Sequence, residues 1–165
     1  DVLGSRGLGD VYKRQPMYEA LLQIRDLTQA WCTNPAHSES FPPIVFNITD
    51  GEASDCDQRE QLAICEKIRT IGTTDGKVLL INIHIATTSD SRSLLFPTEE
   101  EIPADNRYAR LLHDCSSPMP EELSEAIRQV RGDLAKPPFR GMSYNTSIAE
   151  LIAILNIGSI SIKIQ

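Results

Sequence analysis

The stretch Pro43-Ile44-Val45-Phe46-Asn47-Ile48-Thr49-Asp50-Gly51-Glu52 constrains this chain more than any other. It begins as an apolar run behind two prolines and breaks off into Thr-Asp-Gly-Glu. An apolar run of this length, bounded by proline and glycine, predicts a buried strand. Burial on both faces predicts the interior of a parallel sheet. Ligands of open α/β sheets sit outside the carboxyl ends of the strands. Asp50 falls at such an end, and Gly51 lets the chain turn there, so the pair is expected to form a corner of a metal or ligand site.

The rest of the chain supplies partners for that strand. Met17, Ala20, Leu21, Ile24, Leu27 and Trp31 recur every three or four residues, which predicts a helix over Pro16–Trp31 with proline in its first turn. The segment 32–43 is a loop by composition, with His37 expected in solvent. Asp57, with Glu60 three residues on, is a helix-start pattern, and Leu62, Cys65, Ile68 and Ile71 mark one face of a helix that Gly72 is expected to end. Thr73–Gly76 reads as a turn, and Lys77–Ala86 as a second strong strand. Residues 87–103 read as a loop, Asp105–His113 as a short helix, and Pro120–Arg131 as another carrying Leu123, Ile127 and Val130 inward. Residues 132–145 hold Pro137, Pro138 and Gly141 and read as a linker. Thr146–Ile157 reads as a last helix, on Ile148, Leu151, Ile152 and Leu155, which Gly158 closes. The tail 159–165 has strand-like composition. Alternation of strands and helices predicts an α/β fold, a Rossmann-like parallel sheet flanked by helices.

Composition narrows the function classes. A net charge of −7 and a pI near 4.9 argue against nucleic acid or an anionic membrane as a partner. An acidic balance is compatible with cation binding. Cys32, Cys56, Cys65 and Cys115 show no Cys-x-x-Cys spacing, so they are expected to be free thiols, with Cys65 in the core, in a reducing, cytoplasmic setting.

Residues 5–15, Ser-Arg-Gly-Leu-Gly-Asp-Val-Tyr-Lys-Arg-Gln, look like an in-frame translation of a sequencing-library adapter. Asp1–Gln15 is therefore expected to be foreign to the fold, with the gene entering near Pro16. The glycines there run Gly-x-x-Gly-x-Gly, without the strand and spacing a phosphate loop requires.

Around the Asp50 corner, the chain resembles the von Willebrand factor A-type (VWA, integrin I-like) domain. Thr49-Asp50-Gly51 resembles the Thr-Asp-Gly of that family's central strand, whose Asp belongs to a metal-ion-dependent adhesion site. Pro16-Met17-x-x-Ala20-Leu21 resembles the family's Gly-Thr-Pro-Met-x-x-Ala-Leu, with Gln15 where the metal-binding threonine would stand. Ser116-Ser117 and Pro120 resemble a Ser-Ser-x-x-Pro lead into a late helix. The family's Asp-x-Ser-x-Ser is missing from the chain. The resemblance thus implies the C-terminal part of a VWA-type domain over residues 16–158, with the first strand and its ligands upstream.

The resemblance implies a protein-binding module in which Mg2+ or Mn2+ bridges to an acidic residue of a partner. Asp50 is the implied metal residue, with Thr49, Gly51, Glu52 and Asp55 near it, and the ion is expected to be held weakly or not at all by this fragment. Asp57 is expected to be a helix cap instead. An alternative reading is a magnesium-dependent hydrolase or phosphoryl-transfer domain of another doubly wound fold, with Asp50 as ligand or nucleophile and His84 or Asp55 as second group. A third is a fragment without function of its own, whose incomplete sheet exposes an edge.

Overall fold

The computed structural model describes residues 16–51, 57–87 and 92–161. The expected adapter-like residues and the implied site residues Glu52 and Asp55 lie outside that set. Helix α1 spans Pro16–Thr33, strand β1 Ile44–Thr49 and helix α2 Gln58–Thr70. A small hairpin, β2 (Gly72–Thr73) and β3 (Gly76–Lys77), leads into β4 (Leu79–Ile85). Then come β5 (Leu94–Leu95), a 3-10 turn at Glu99–Glu101 and α3 (Arg107–Cys115). A second 3-10 turn at Glu121–Leu123 runs into α4 (Ser124–Arg131), followed by β6 (Met142–Thr146) and α5 (Ile148–Ser161).

The sheet has four strands in the order β1-β4-β6-β5. Strands β1, β4 and β6 are parallel, whereas β5 runs antiparallel to β6, so the sheet is mixed. Thr49 stands opposite His84, and Asn47 opposite Asn82. Helices cover both faces. Leu21 of α1, Ile64, Cys65 and Ile68 of α2, and Cys115 of α3 pack with Leu80 and Val45 on one face. Ile127 of α4 and Ile154 and Ile157 of α5 pack with Ile81, Ile83 and Phe46 on the other. β4 is buried along six of its seven residues, as a strand covered on both sides must be.

Local chemistry sets several boundaries. The Asp57 side chain accepts the Arg59 N–H at 2.9 Å and caps α2, as its sequence pattern predicts. α2 stops one residue earlier than expected: Ile71 is its C-cap, and Gly72 already pairs with Lys77 in the hairpin. A side chain on Gly72 would collide with the Gly76 carbonyl, which explains the glycine. α3 starts after Asn106, whose side chain accepts the Ala109 N–H at 3.0 Å.

Five expectations require correction. β1, expected in the sheet interior with both faces buried, is an edge strand of the described sheet and is only partly buried, with Ile48 exposed. Residues 132–145, expected to be a linker, contain most of β6, an interior strand between β4 and β5. Its sequence, Met-Ser-Tyr-Asn-Thr, is too polar to read as a buried strand, and its buried Ser143 and Thr146 are accommodated by a 2.5 Å hydrogen bond between their hydroxyls. Gly158 does not close α5: the helix continues to Ser161, and a Cβ at Gly158 would stand 3.0 Å from the Phe46 ring. The inward face of α5 is Ile154 and Ile157, while Ile148, Ile152 and Leu155 are exposed, as is Leu27 of α1. His37 is half-buried and stacked on Trp31, with ring centroids 4.5 Å apart.

Candidate functional site

One face of the sheet changes character along its strands. At their amino ends Val45 and Leu80 pack in the core. Next comes a polar rung: Asn47 Nδ2 donates to Asn82 Oδ1 at 2.9 Å, and Asn82 Nδ2 donates to Ser116 Oγ at 2.9 Å. Ser116 Oγ in turn donates to the Leu112 carbonyl at 2.5 Å. Asn82 and Ser116 are fully buried, so the network satisfies groups that would otherwise be costly there. The neighbouring Ser117 is stitched to β4, its N–H donating to the Leu80 carbonyl and its Oγ accepting the Leu80 N–H, both at 2.9 Å.

The carboxyl edge carries the next layer, Thr49 of β1, His84 of β4 and Tyr144 of β6. The His84 ring stacks on Tyr144 with centroids 4.9 Å apart, and Tyr108 of α3 meets His84 edge-on at 5.4 Å. The Asn145 N–H donates to His84 Nδ1 at 3.2 Å, which requires that nitrogen to be unprotonated and puts the ring proton on Nε2. Asn145 makes this contact from a left-handed conformation, φ 54°, where asparagine is among the better tolerated residues.

Asp50 and its neighbours sit above this layer. Asp50 is exposed at the end of β1, where its sequence position placed it. Thr49 is buried, and its hydroxyl donates to the Gly51 carbonyl at 2.8 Å. Tyr108 Oη donates to the same carbonyl at 3.0 Å. The turn after β1 is thus held from below by two hydroxyls, and the Asp50 carboxylate is carried at its rim.

Magnesium demands a near-octahedral set of oxygens. The Thr49 hydroxyl is committed to the turn, and among the described residues no three His, Cys, Asp or Glu side chains form a group that could hold a metal ion. Asp50 and Thr49 alone do not make such a set. The histidine of the hydrolase alternative is seated in an aromatic cluster with Nδ1 engaged by the Asn145 backbone.

The sequence reading missed Tyr108, Tyr144 and Asn145. Tyr108 falls within the expected helix 105–113, and the other two within the expected linker. The polar break in β4, Asn82 and His84 within an apolar run, was the available signal. Tyr144 and Asn145 also line a cleft of about 730 Å³ on the β5 side, with Ser93, Arg131 and Glu150 among its walls. There Ser93 Oγ donates to Glu150 Oε1 at 2.9 Å, and Arg131 is fixed by Glu101 and Asp133 at 2.7 and 2.8 Å.

Compared with family models, curated proteins and solved structures, the chain gives no match. Among the described residues, no helix is long and apolar enough to cross a membrane.

Proposed function

We propose that this chain is the C-terminal part of a VWA-like protein-binding module, with its binding edge at the carboxyl ends of β1, β4 and β6. The observation that carries this reading is Asp50, an exposed acid on the turn that ends a parallel strand, with that turn held by Thr49 and Tyr108. Parallel strands ordered β1-β4-β6 with helices on both faces are what the late half of such a domain needs. In this reading Asp50 supplies one acid of a site that uses Mg2+ or Mn2+ to reach an acidic group on a protein partner. The oxygens present here are too few for tight binding.

The test is a Mn2+ titration of the 15N-labelled chain, read as paramagnetic broadening of amide signals. The expected result is selective broadening at Asp50 and Gly51 at millimolar Mn2+, lost in Asp50→Asn. Broadening that ignores those amides, or that survives the substitution, overturns the reading.

A further inference from the structure

Two arginines meet the last turn of α3, at the amino ends of the strands and so across the sheet from Asp50. Arg69, near the end of α2, donates from Nη1 to the Ser116 carbonyl at 2.9 Å. Arg140, just before β6, donates from Nε to the His113 carbonyl at 2.9 Å. The two acceptors share one turn, since the Ser116 N–H itself donates to the His113 carbonyl at 3.1 Å. Both arginines are half-buried, and among the described residues neither makes an ion pair. Scarcity of acids is not the reason, because the chain has 23 of them against 16 lysines and arginines. The acids that act on Arg140 are engaged elsewhere: Asp114 lies 2.9 Å from His113 Nδ1, and Glu99 lies 3.6 Å from Arg110. Glu66, one turn before Arg69 on α2, is exposed.

The carboxyl end of a helix carries only about half a negative charge, so two guanidiniums more than cancel it. Their donors are also incompletely used. Arg69 Nε is buried without a hydrogen-bond partner, while Arg69 Nη2 and both Nη groups of Arg140 have no protein partner and reach solvent. Burial first, and then the charge of Arg69, hold Arg140 below its ordinary range, as befits like charges brought together without a counter-ion. We propose that Arg69 and Arg140 form a binding site for a small tetrahedral oxyanion of the phosphate type, held by their unpartnered Nη groups. Planar guanidinium donors match the oxygens of such an ion and bind it by charge-assisted hydrogen bonds. The carbonyls of Ser116 and His113 fix one side of each guanidinium, so the donors are positioned before the ion arrives. The bound ion supplies the missing counter-charge and ties the end of α2 to the segment that enters β6.

The test is a titration of the 15N-labelled full chain with inorganic phosphate at neutral pH, with sodium chloride keeping the ionic strength constant. The expected result is a saturable shift of the Ser116 and Gly141 amides and of the Arg69 Nε–H signal in the millimolar range. The thermal midpoint should rise with it, as for any ion that binds only the folded chain. Chloride alone should do neither. Arg140→Gln should weaken binding at least about tenfold, the effect of losing a hydrogen bond to a charged group. Arg69→Lys, which keeps the charge without the fork, should weaken it less. The proposal is overturned by shifts that never saturate, that chloride reproduces, or that leave Ser116 and Gly141 unmoved. Undiminished binding in Arg140→Gln overturns it too. Arg140 also caps α3, so if that variant does not fold, the wild-type comparison of phosphate with chloride decides the question.

Discussion

The Tyr108 hydroxyl and the Gly51 carbonyl meet at 3.0 Å, tying helix α3 to the turn that follows β1. The residues are far apart in sequence, and the contact is one of two that hold the Asp50 turn. Removing it in Tyr108→Phe should cost about 1 kcal/mol, the usual net worth of such a bond. Urea denaturation measures that loss. Amide exchange should quicken at Asp50 and Gly51 more than elsewhere. Unchanged exchange there would show that Thr49 suffices alone.

Asn82 should tolerate substitution less well. It accepts from Asn47 and donates to Ser116 with no exposure to water. Asn82→Ala leaves a gap and strands polar groups on both sides, so a loss of at least about 2 kcal/mol is expected. The paired change Asn47→Ala with Asn82→Ala should cost less than the sum of the single changes, because the residues share one bond. A strictly additive double-mutant cycle would deny the network any cooperative role.

Gly158 tests how closely α5 lies on β1. A Cβ built there stands 3.0 Å from Phe46 Cζ. Gly158→Val should therefore destabilise the protein by about 1–3 kcal/mol through overpacking, despite leaving a helix interior better suited to a side chain. Pairing it with Phe46→Leu should recover part of the loss. A neutral single variant would mean that the Phe46 ring swings aside freely.

Acid should act on the cluster around Arg131. Its guanidinium meets Glu101 and Asp133, donates to the carbonyls of Leu95 and Phe96, and lies 5.3 Å over the Phe139 ring. The hydrogen bond from Arg131 holds both carboxyls below their ordinary range. Depressed folded values mean that their contribution is fully present above the unfolded values of about 4. It is lost as the pH falls through the folded ones. Stability should thus decline below about pH 4, and the decline should be shallower in Arg131→Lys, which keeps a charge but not the fork. Partial exposure of both acids keeps the effect modest. Urea midpoints on either side of that pH measure it, and parallel wild-type and variant curves would exclude the mechanism.

Legibility in the sequence followed how much each segment depends on itself. β1 and β4 were legible as strands because each is a mainly apolar run, but the edge position of β1 was not, since it depends on which strands pair beside it. The start of α2 was plain because its cap, Asp57, lies next to it. β6 was hidden: its polar side chains find their partners in β4, in α3 and in each other, none of them close in sequence. Gly158 misled for a related reason, since its role is set by Phe46 across the sheet and not by the end of its own helix. Asp50 was legible as the end of a strand. The hydroxyls beneath it were not, because Tyr108 reaches Gly51 from a separate helix.

The position of β6 fixes an order of events during synthesis. Strand β5 emerges from the ribosome well before β6, yet β6 is its neighbour in the sheet, and β4 likewise has one edge waiting for the same segment. A nascent chain that has made β1 and β4 can pair those two at once. It must keep β5 and half of β4 without a permanent partner until Met142–Thr146 arrives. Long-range pairing of this kind raises contact order and slows closure. That interval is when a chaperone would have the most apolar surface to hold.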